Sequence, residues 1–185
     1  PAAGAVIGRS RVLSVIDKGA GKGAVIITER KVIDKASGDL LATMVYSTFC
    51  RGDGGFGKGD PSPPPPPAVP EGEPEKVCDL PTLPQAALIY RLSGDRNPLH
   101  AEPAIAVAAG FPRPILHGLC TYGVAGHALL KTYCDYDAAR LTGLSVRFSA
   151  PVFPGETIRT EMWRRGDKVQ FRARVVERDI VVLNN

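Results

Sequence analysis

The sequence has few of the features that mark secreted, membrane-spanning or nucleic-acid-binding proteins. Its four cysteines form no Cys-x-x-Cys pair, so we expect neither a disulfide framework nor an ordinary zinc module, and a reducing compartment is the default. No apolar run reaches the ~18 residues of a membrane span, and no secretory signal leads the chain. The net charge of +4 is spread along the chain and lacks the basic clusters of a nucleic-acid-binding module.

The composition is that of a globular protein. The chain has 185 residues, 44% of them hydrophobic and 23% charged, which suffices for one ordinary domain or two small ones. Its mild positive charge suits an anionic small molecule such as a nucleotide or coenzyme A. The chain begins with Pro1 and not with Met, so we expect the natural N-terminus to lie upstream.

A proline-rich segment divides the chain. The stretch "GDPSPPPPPAVPEGEPE", residues 59–75, contains five consecutive prolines, which donate no backbone hydrogen bonds and favour an extended conformation. Such a segment is a semi-rigid, solvated spacer between folded parts. The sequence therefore predicts an N-terminal part over residues 1–58, a linker over 59–75 and a C-terminal domain over 76–185.

The N-terminal part shows only strand signals. Segments 9–19, 23–34 and 39–50 are rich in β-branched and apolar residues, and "DKASGD" between the last two is typical of a hairpin loop. Three strands without a covering helix leave a hydrophobic face exposed, so this part is incomplete by itself. The glycine-rich segment 52–59 lacks the spacing of a phosphate loop and any following helix, and we interpret it as a loop packed against the neighbouring domain.

The C-terminal part follows the predicted order helix, loop, helix, helix and four strands. Helices are predicted over 83–94, 102–110 and 117–133, and strands over 144–150, 157–163, 168–177 and 179–184. The third helix is apolar nearly all round and carries three glycines, which cost roughly 2–3 kcal/mol of helix propensity relative to alanine. We therefore expect a central, buried helix that its sheet approaches closely. An antiparallel sheet wrapped around such a helix is an α+β hot-dog fold.

The stretch "LSGDRNPLHAEP" places Asp95, Asn97 and His100 within six residues. One interpretation is a polar turn in which Asp95 or Asn97 supports the loop and His100 precedes a helix. The other is an active site, because Pro98 fixes one backbone dihedral and restricts Asn97, which makes the loop rigid. An Asp and a His that converge can share one water molecule, the arrangement that general acid–base catalysis requires.

The stretch "PILHGLCT", residues 114–121, is the second candidate element. If the buried helix begins near His117, the amide of Gly118 is an unpaired N–H at the positive end of the helix dipole. A residue without a Cβ lets a ligand oxygen approach this amide, which can stabilise a developing enolate oxygen. The alternative is a small residue required only for packing. Together the two elements supply the parts needed to add water across a double bond conjugated to a carbonyl.

Residues 95–118, "DRNPLHAEPAIAVAAGFPRPILHG", closely resemble the hydratase 2 motif of the MaoC-like (R)-specific enoyl-CoA hydratases, a family that includes the hydratase unit of peroxisomal multifunctional enzyme type 2. The likeness continues through "GLCTYGVAG" and "VRFSAPVFPGETIRTEMW" and is looser over residues 1–60. There, "VIDKGAGKGAVI" and "GDGGFG" resemble the end of a first, non-catalytic repeat. The resemblance implies a double hot-dog protein whose first repeat is reduced or incomplete.

The resemblance also implies an activity, the reversible syn addition of water to trans-2-enoyl-CoA to give (3R)-3-hydroxyacyl-CoA. Asp95 and His100 match the catalytic pair of the family, Asn97 the residue that orients the loop and the water, and Gly118 the amide that binds the thioester carbonyl. The expected substrate and coenzyme A contacts are Lys18, Arg96, Pro98, Leu99 and Phe148. For Lys18, an ordinary exposed lysine in a turn is the alternative.

The resemblance implies no metal and no redox cofactor, because coenzyme A arrives as part of the substrate. We expect a homodimer without nucleic-acid or membrane partners, in a bacterial cytoplasm, because the C-terminus lacks the peroxisomal Ser-Lys-Leu signal. Three alternatives stay open. They are a hot-dog acyl-CoA thioesterase, a non-catalytic acyl-CoA-binding protein and a dehydratase that acts on acyl carrier protein.

Overall fold

The structure, a computed structural model, describes residues 3–64 and 68–184. The chain splits into two compact units, Pro1–Pro65 and Pro66–Asn185. Residues 65–67 of the proline-rich segment lie outside the described residues, and the rest of 59–75 contains neither helix nor strand. Within the described ranges, no helix is both long enough and apolar enough to cross a bilayer.

The first unit is a three-stranded antiparallel sheet, and all three predicted strands are confirmed. Its strands, in the spatial order β1-β2-β3, are β1 (Val6–Asp17), β2 (Ala24–Asp34) and β3 (Leu40–Cys50). The turn between β2 and β3 forms because the Asp34 carboxylate accepts hydrogen bonds from the amides of Ala36 and Ser37, at 2.7 and 2.9 Å. Large apolar side chains of this sheet are exposed. Among them are Val45 and Phe49, which share one face of the sheet because their partners on β2 are Glu29 and Val25. The prediction of an uncovered apolar face is therefore confirmed.

The glycine-rich loop folds against a turn of its own unit. The Asp17 carboxylate accepts hydrogen bonds from the amides of Gly55 and Gly57, both at 2.7 Å, and of Gly19, at 2.8 Å. These amides, that of Gly55 most of all, hold the pKa of Asp17 below its usual value. The N–H groups that would have to bind a phosphate are thus already occupied by a carboxylate of the chain.

The second unit is a five-stranded antiparallel sheet with three helices. The sheet order is β4-β6-β7-β8-β5, formed by β4 (Lys76–Pro81), β5 (Arg147–Phe148), β6 (Thr157–Arg165), β7 (Lys168–Val175) and β8 (Ile180–Asn184). The helices are α1 (Ala86–Tyr90), α2 (Pro103–Ala108) and α3 (Gly118–Tyr133), and short 3₁₀ turns cover Arg91–Ser93, Pro98–His100 and Ala138–Arg140. A tight turn at Gly166, with φ of 65°, joins β6 to β7.

The prediction for this unit is wrong at two places, one strand that it missed and one that it made too long. The predicted order began with a helix, but β4 precedes it as an edge strand paired with β6. The strand predicted over 144–150 is reduced to the two residues of β5. Part of the reason is that the Tyr122 hydroxyl donates to the Leu144 carbonyl at 3.0 Å, so a side chain of α3 takes a backbone acceptor that a strand would use. The helix predicted over 83–94 is α1 continued by a 3₁₀ turn, and it stops at Gly94 as expected, with φ of 109°.

Helix α3 packs on the sheet with one face. Its buried residues recur at helical spacing, and they pack with apolar residues of the sheet. The helix residues are Thr121, Ala125, Ala128 and Leu129, and the sheet residues include Ile158, Met162, Phe171 and Leu183.

The opposite face of α3 is open, since Leu119 is 61% exposed and a Cβ at Gly123 would meet nothing within 4 Å. A Cβ at Gly126 would lie 3.2 Å from Leu144, so a loop, and not the sheet, makes the close approach. The architecture is a hot-dog fold in which α3 is buried on one side only.

Candidate active site

The polar loop between Gly94 and His100 is held by its own side chains. The Asp95 carboxylate accepts a hydrogen bond from the Asn97 amide at 3.2 Å, and the Asn97 side-chain oxygen accepts one from the Leu99 amide at 3.1 Å. Asn97 is thereby the N-cap of the 3₁₀ turn that begins at Pro98. The polar-turn interpretation describes the local structure correctly, and this same turn sets the position of His100.

Among the described residues, one ring nitrogen of His100 has a hydrogen-bond partner and the other has none. Its side chain is buried, and Nδ1 lies 2.8 Å from the carbonyl oxygen of Ile115. Because a carbonyl only accepts, Nδ1–H is the donor in this bond, and the neutral ring carries its lone pair on Nε2. The backbone of a second segment thus orients His100 with a proton-accepting nitrogen available for chemistry.

Three side chains converge on one point. Side-chain atoms of Asp95, His100 and His117 all lie within 4.8 Å of one another. A hydrogen bond to water spans about 2.8 Å, so two groups at this separation can bind the same water molecule. Asp95 is exposed, which leaves the cluster open to a ligand. The predicted acid–base pair therefore has the geometry that shared use of one water requires.

Gly118 and Phe148 complete the surroundings of His100. Gly118 is the first residue of α3 and is exposed, and an amide in the first helical turn has no acceptor within its own helix. The Phe148 ring packs over it, because a Cβ on Gly118 would lie 3.1 Å from that ring. Both residues and His100 line one cavity of about 310 Å³, whose other walls include Phe111, Ile115, Leu116, Thr121, Val152 and Val182. A larger cavity, of about 640 Å³, lies near the other end of α3 and contains none of the predicted site residues.

A partly buried ion pair supports one wall of the smaller cavity. Arg178 binds both carboxylate oxygens of Glu156, at 2.5 and 2.9 Å, and also donates to the Pro151 carbonyl at 2.8 Å. The Val152 carbonyl in turn accepts a hydrogen bond from the Leu116 amide at 2.7 Å. This network fixes the segment that faces the start of α3.

The remaining predicted contacts lie in exposed or partly exposed positions. Arg96 and Pro98 are exposed and Leu99 is half-buried, all in the same loop as Asp95. Lys18 belongs to the first unit, where its ammonium group donates to the Ser62 hydroxyl at 3.0 Å. The roles assigned to these four residues stay predictions.

Sequence reasoning missed His117. This residue is the N-cap of α3 and is 1% exposed. Its ring stacks on His100 with centroids 3.7 Å apart and planes at 27°, and Tyr90 packs on it at 4.7 Å. Its Nε2–H donates to the backbone carbonyl of Asp95 at 3.2 Å, whereas Nδ1 is buried with no hydrogen-bond partner among the described residues. The available sequence signal was a histidine directly before the predicted first glycine of a buried helix.

Burial keeps the His117 ring neutral. Desolvation lowers the pKa of His117 below its usual 6.5, and the nearby His100 and Arg91 lower it further, against the opposing effect of the Asp95 carbonyl and carboxylate. Protonation would also bury an Nδ1–H without an acceptor. The stable form is therefore the neutral tautomer with its proton on Nε2.

We expect this lowered pKa to make folding stability depend on pH. Below about pH 6.5 the unfolded chain takes up a proton at His117 that the folded chain resists, so the free energy of unfolding falls as the pH falls. Thermal melts of wild type and H117Q between pH 7.5 and 5.5 measure this effect. The melting temperature of wild type must fall more steeply than that of H117Q, and parallel curves would contradict the assignment. Carboxylates with lowered pKa values, such as Asp17 and Asp34, contribute only at more acidic pH.

The three converging groups fit acid–base chemistry better than a metal. An imidazole binds a metal along the lone pair in its ring plane, at about 2.0–2.1 Å from nitrogen for zinc. The His100 and His117 rings stack nearly parallel. No point that lies in both ring planes is therefore within zinc-binding distance of a nitrogen of each ring. As they stand, these residues cannot both bind one ion.

We expect G118A to lose activity without losing stability. The added methyl group would press on the half-exposed Phe148 ring and narrow the approach to the helix amide, so kcat/KM for an enoyl thioester should fall by about 10-fold or more. Alanine gains up to about 1 kcal/mol of helix propensity, which offsets the shift of the ring. G123A on the same helix is the matched control, because its Cβ meets nothing, and it must keep full activity. Equal activity of the two variants would show that the Gly118 amide binds no substrate oxygen.

A hot-dog domain with an acid–base loop and a helix amide at one apolar cavity defines a class of proteins suited to proton transfer beside a carbonyl group. Residues 67–185 match the MaoC like domain family, which covers more than half of the chain. The chain belongs to this family, as the resemblance predicted.

Curated relatives and solved structures agree with this placement. The chain is 46% identical over 181 residues to 3-hydroxyacyl-thioester dehydratase Y of Mycobacterium tuberculosis, covering 97% of this chain and 62% of that protein. It is 42% identical over 192 residues to the peroxisomal enoyl-CoA hydratase 2 of Arabidopsis thaliana, covering 99% and 62%. The structure of full-length peroxisomal multifunctional enzyme type 2 from Drosophila melanogaster matches with a TM-score of 0.78 at 39% identity, covering 100% of this chain and 33% of that one. The chain spans less than two thirds of the length of each.

Proposed function

We propose that this protein is a hydro-lyase that reversibly hydrates trans-2-enoyl-CoA to (3R)-3-hydroxyacyl-CoA. The observation that carries the proposal is the convergence of the Asp95 carboxylate and the His100 ring within 4.8 Å, beside a cavity that the Gly118 amide also lines. Relatives named enoyl-CoA hydratase 2 and 3-hydroxyacyl-thioester dehydratase support the same reaction in its two directions. The (3R) outcome rests on the likeness of residues 95–118 to the (R)-specific hydratases.

The geometry suggests how each group contributes. Asp95 and His100 hold one water, whose oxygen forms a bond to C3 while C2 receives a proton from the same pair, so both additions occur on one face. The electrons of the double bond move toward the thioester oxygen, and the Gly118 amide stabilises the charge that develops there. Because Asp95 and His100 act on one water, the protons that they exchange belong to the pair and not to either residue alone.

No metal or redox cofactor enters this proposal, because hydration needs only proton transfer and an oxyanion donor. Coenzyme A is present as part of the substrate. We also propose a homodimer, on the strength of the hot-dog likeness, and a bacterial cytoplasm, which a relative from Mycobacterium tuberculosis supports.

The reaction is tested by the absorbance of the enoyl thioester when purified protein meets crotonyl-CoA and then decenoyl-CoA, with free thiol measured in parallel. Loss of absorbance without thiol release is the expected result, and chiral analysis of the product must give the (3R) alcohol. Thiol release would establish the thioesterase alternative. Binding without turnover would establish the acyl-CoA-binding alternative. Comparison of the two substrates also measures the acyl length that the cavity accepts.

Lys18 is tested separately as a coenzyme A contact. If its ammonium group binds the nucleotide end of coenzyme A, K18A raises KM for crotonyl-CoA by about 10-fold and leaves kcat unchanged, as loss of a charge-assisted hydrogen bond predicts. Lys22 is the matched control, because it lies in the same turn, and K22A must keep the KM of wild type. An unchanged KM in K18A would count against specificity for coenzyme A and favour an acyl carrier protein substrate.

A further inference from the structure

His117 lies between the two groups that the proposed reaction uses. It contacts Asp95 through a hydrogen bond to the backbone carbonyl, and it contacts His100 through face-to-face ring stacking. Its own backbone precedes Gly118, so the ring and the oxyanion amide share the start of α3. A single buried side chain thus connects all three components of the site.

The contacts of this ring exceed what packing alone requires. A buried apolar side chain would fill the space between Tyr90 and His100 without leaving a polar atom unpaired. His117 instead buries an Nδ1 without a partner among the residues described, which is unfavourable because this nitrogen loses its hydrogen bond to water on folding. What the imidazole provides at this cost is the Nε2–H bond to the Asp95 carbonyl. No other hydrogen bond to that carbonyl is seen in the structure as described.

We propose that His117 is a positioning residue. Its Nε2–H fixes the position of the Asp95 backbone, and its ring face fixes the orientation of the His100 imidazole relative to the Gly118 amide. This inference rests on the proposed hydration. His117 neither donates nor accepts a proton in the reaction. It fixes the separation of the two groups that do, and a displacement of about 1 Å between such groups can lower a rate by up to 10²-fold.

Two substitutions separate positioning from packing. In H117Q the amide nitrogen lies near the place of Nε2 and keeps the donor to Asp95, but the flat ring is lost. In H117F the ring and its apolar surface remain, but the donor is lost. Packing alone predicts that Phe is the better substitute in both stability and activity, because it buries no unpaired polar atom. A positioning role predicts instead that H117F is the more stable of the two variants and H117Q the more active one.

The test measures kcat, KM and melting temperature of the full chain with crotonyl-CoA. We expect H117F to melt at or above the temperature of H117Q, yet to have a kcat lower than wild type by about 10- to 10²-fold, with KM changed less than about 3-fold. The kcat of H117Q should be at least about 5-fold higher than that of H117F. His127, exposed on the same helix, is the control, and neither H127Q nor H127F should change kcat. If H117F does not fold, H117M, which also lacks the donor, replaces it.

Each alternative outcome is decisive. If kcat follows melting temperature across the variants, or if H117F keeps the kcat of wild type, the positioning role is overturned while the hydratase function stands. If wild type itself does not hydrate an enoyl thioester, the proposed function fails and this inference fails with it. A second measurement needs no turnover, because ¹⁵N NMR at pH 7.5 must find the His117 proton on Nε2. A proton on Nδ1 would overturn the proposal directly.

Discussion

The D95N variant should lose about 10²-fold or more of the kcat for hydration of crotonyl-CoA, because an amide can neither take up the proton of a water molecule nor return it to carbon. Its KM should change little, since Asp95 acts on the water and not on coenzyme A. The substitution is nearly isosteric, and the amide oxygen can still accept the hydrogen bond from the Asn97 backbone. The loop should therefore keep its shape, and the melting temperature should stay within a few degrees of wild type.

Asp137 provides the matched control for this variant. It is also exposed, and its carboxylate also accepts a backbone hydrogen bond at the start of a 3₁₀ turn, from Ala139 at 3.0 Å. D137N therefore repeats the structural change without touching the candidate site, and it must keep the activity of wild type. If D95N and D137N are equally active, Asp95 only supports a turn, as the simpler interpretation of the sequence holds. If both lose activity together with stability, the assay reports folding and not catalysis.

Substitution of His100 should have an effect of similar size, and two variants separate its two nitrogens. In H100N the amide nitrogen takes the place of Nδ1 and can still donate to Ile115, but the group at Nε2 is gone. In H100Q the amide lies near Nε2, and the buried Ile115 carbonyl loses its partner at a cost of about 1–3 kcal/mol. We expect both variants to lose about 10²-fold or more in kcat, with H100N clearly the more stable of the two.

The double variant D95N/H100N tests whether the two residues share one water. Groups that act as a unit are not additive, so the double variant should be about as active as the worse single variant. If the fold-losses in kcat of the two single variants multiply in the double variant, the residues have two independent roles, which would contradict a shared water. Activity in H100N near that of wild type would remove His100 from the chemistry and leave only its contact with Ile115.

Local pattern was sufficient for much of the fold. Richness in β-branched and apolar residues predicted the three strands of the first unit, and local pattern also predicted most of the last three strands of the second, because a strand needs residues that suit a pleated, half-buried surface. Strand β4 was missed because it is a short edge strand directly after the linker, held by pairing with β6 that lies some 80 residues away. Strand β5 was overestimated because a hydroxyl from α3 takes the Leu144 carbonyl.

Most residues of the candidate site could also be predicted from the sequence, but one was missed. Asp95, Asn97 and His100 could be found from the sequence because they lie on one short loop that Pro98 stiffens, and Gly118 because a helix start is legible from local signals. His117 was missed although it directly precedes Gly118, because its significance depends on stacking against His100 and on a hydrogen bond to the Asp95 carbonyl, both made across the fold.

The sequence by itself determined most residues of the candidate site, the loop that holds them and the hot-dog class of the domain. These depend on contacts between neighbours in the chain, which residue identity and spacing encode. Only the tertiary structure decided which nitrogen of His100 meets the Ile115 carbonyl, that Phe148 packs on Gly118 and that His117 stacks on His100. Those features arise where segments distant in sequence meet in space, and no local pattern encodes the distance between them.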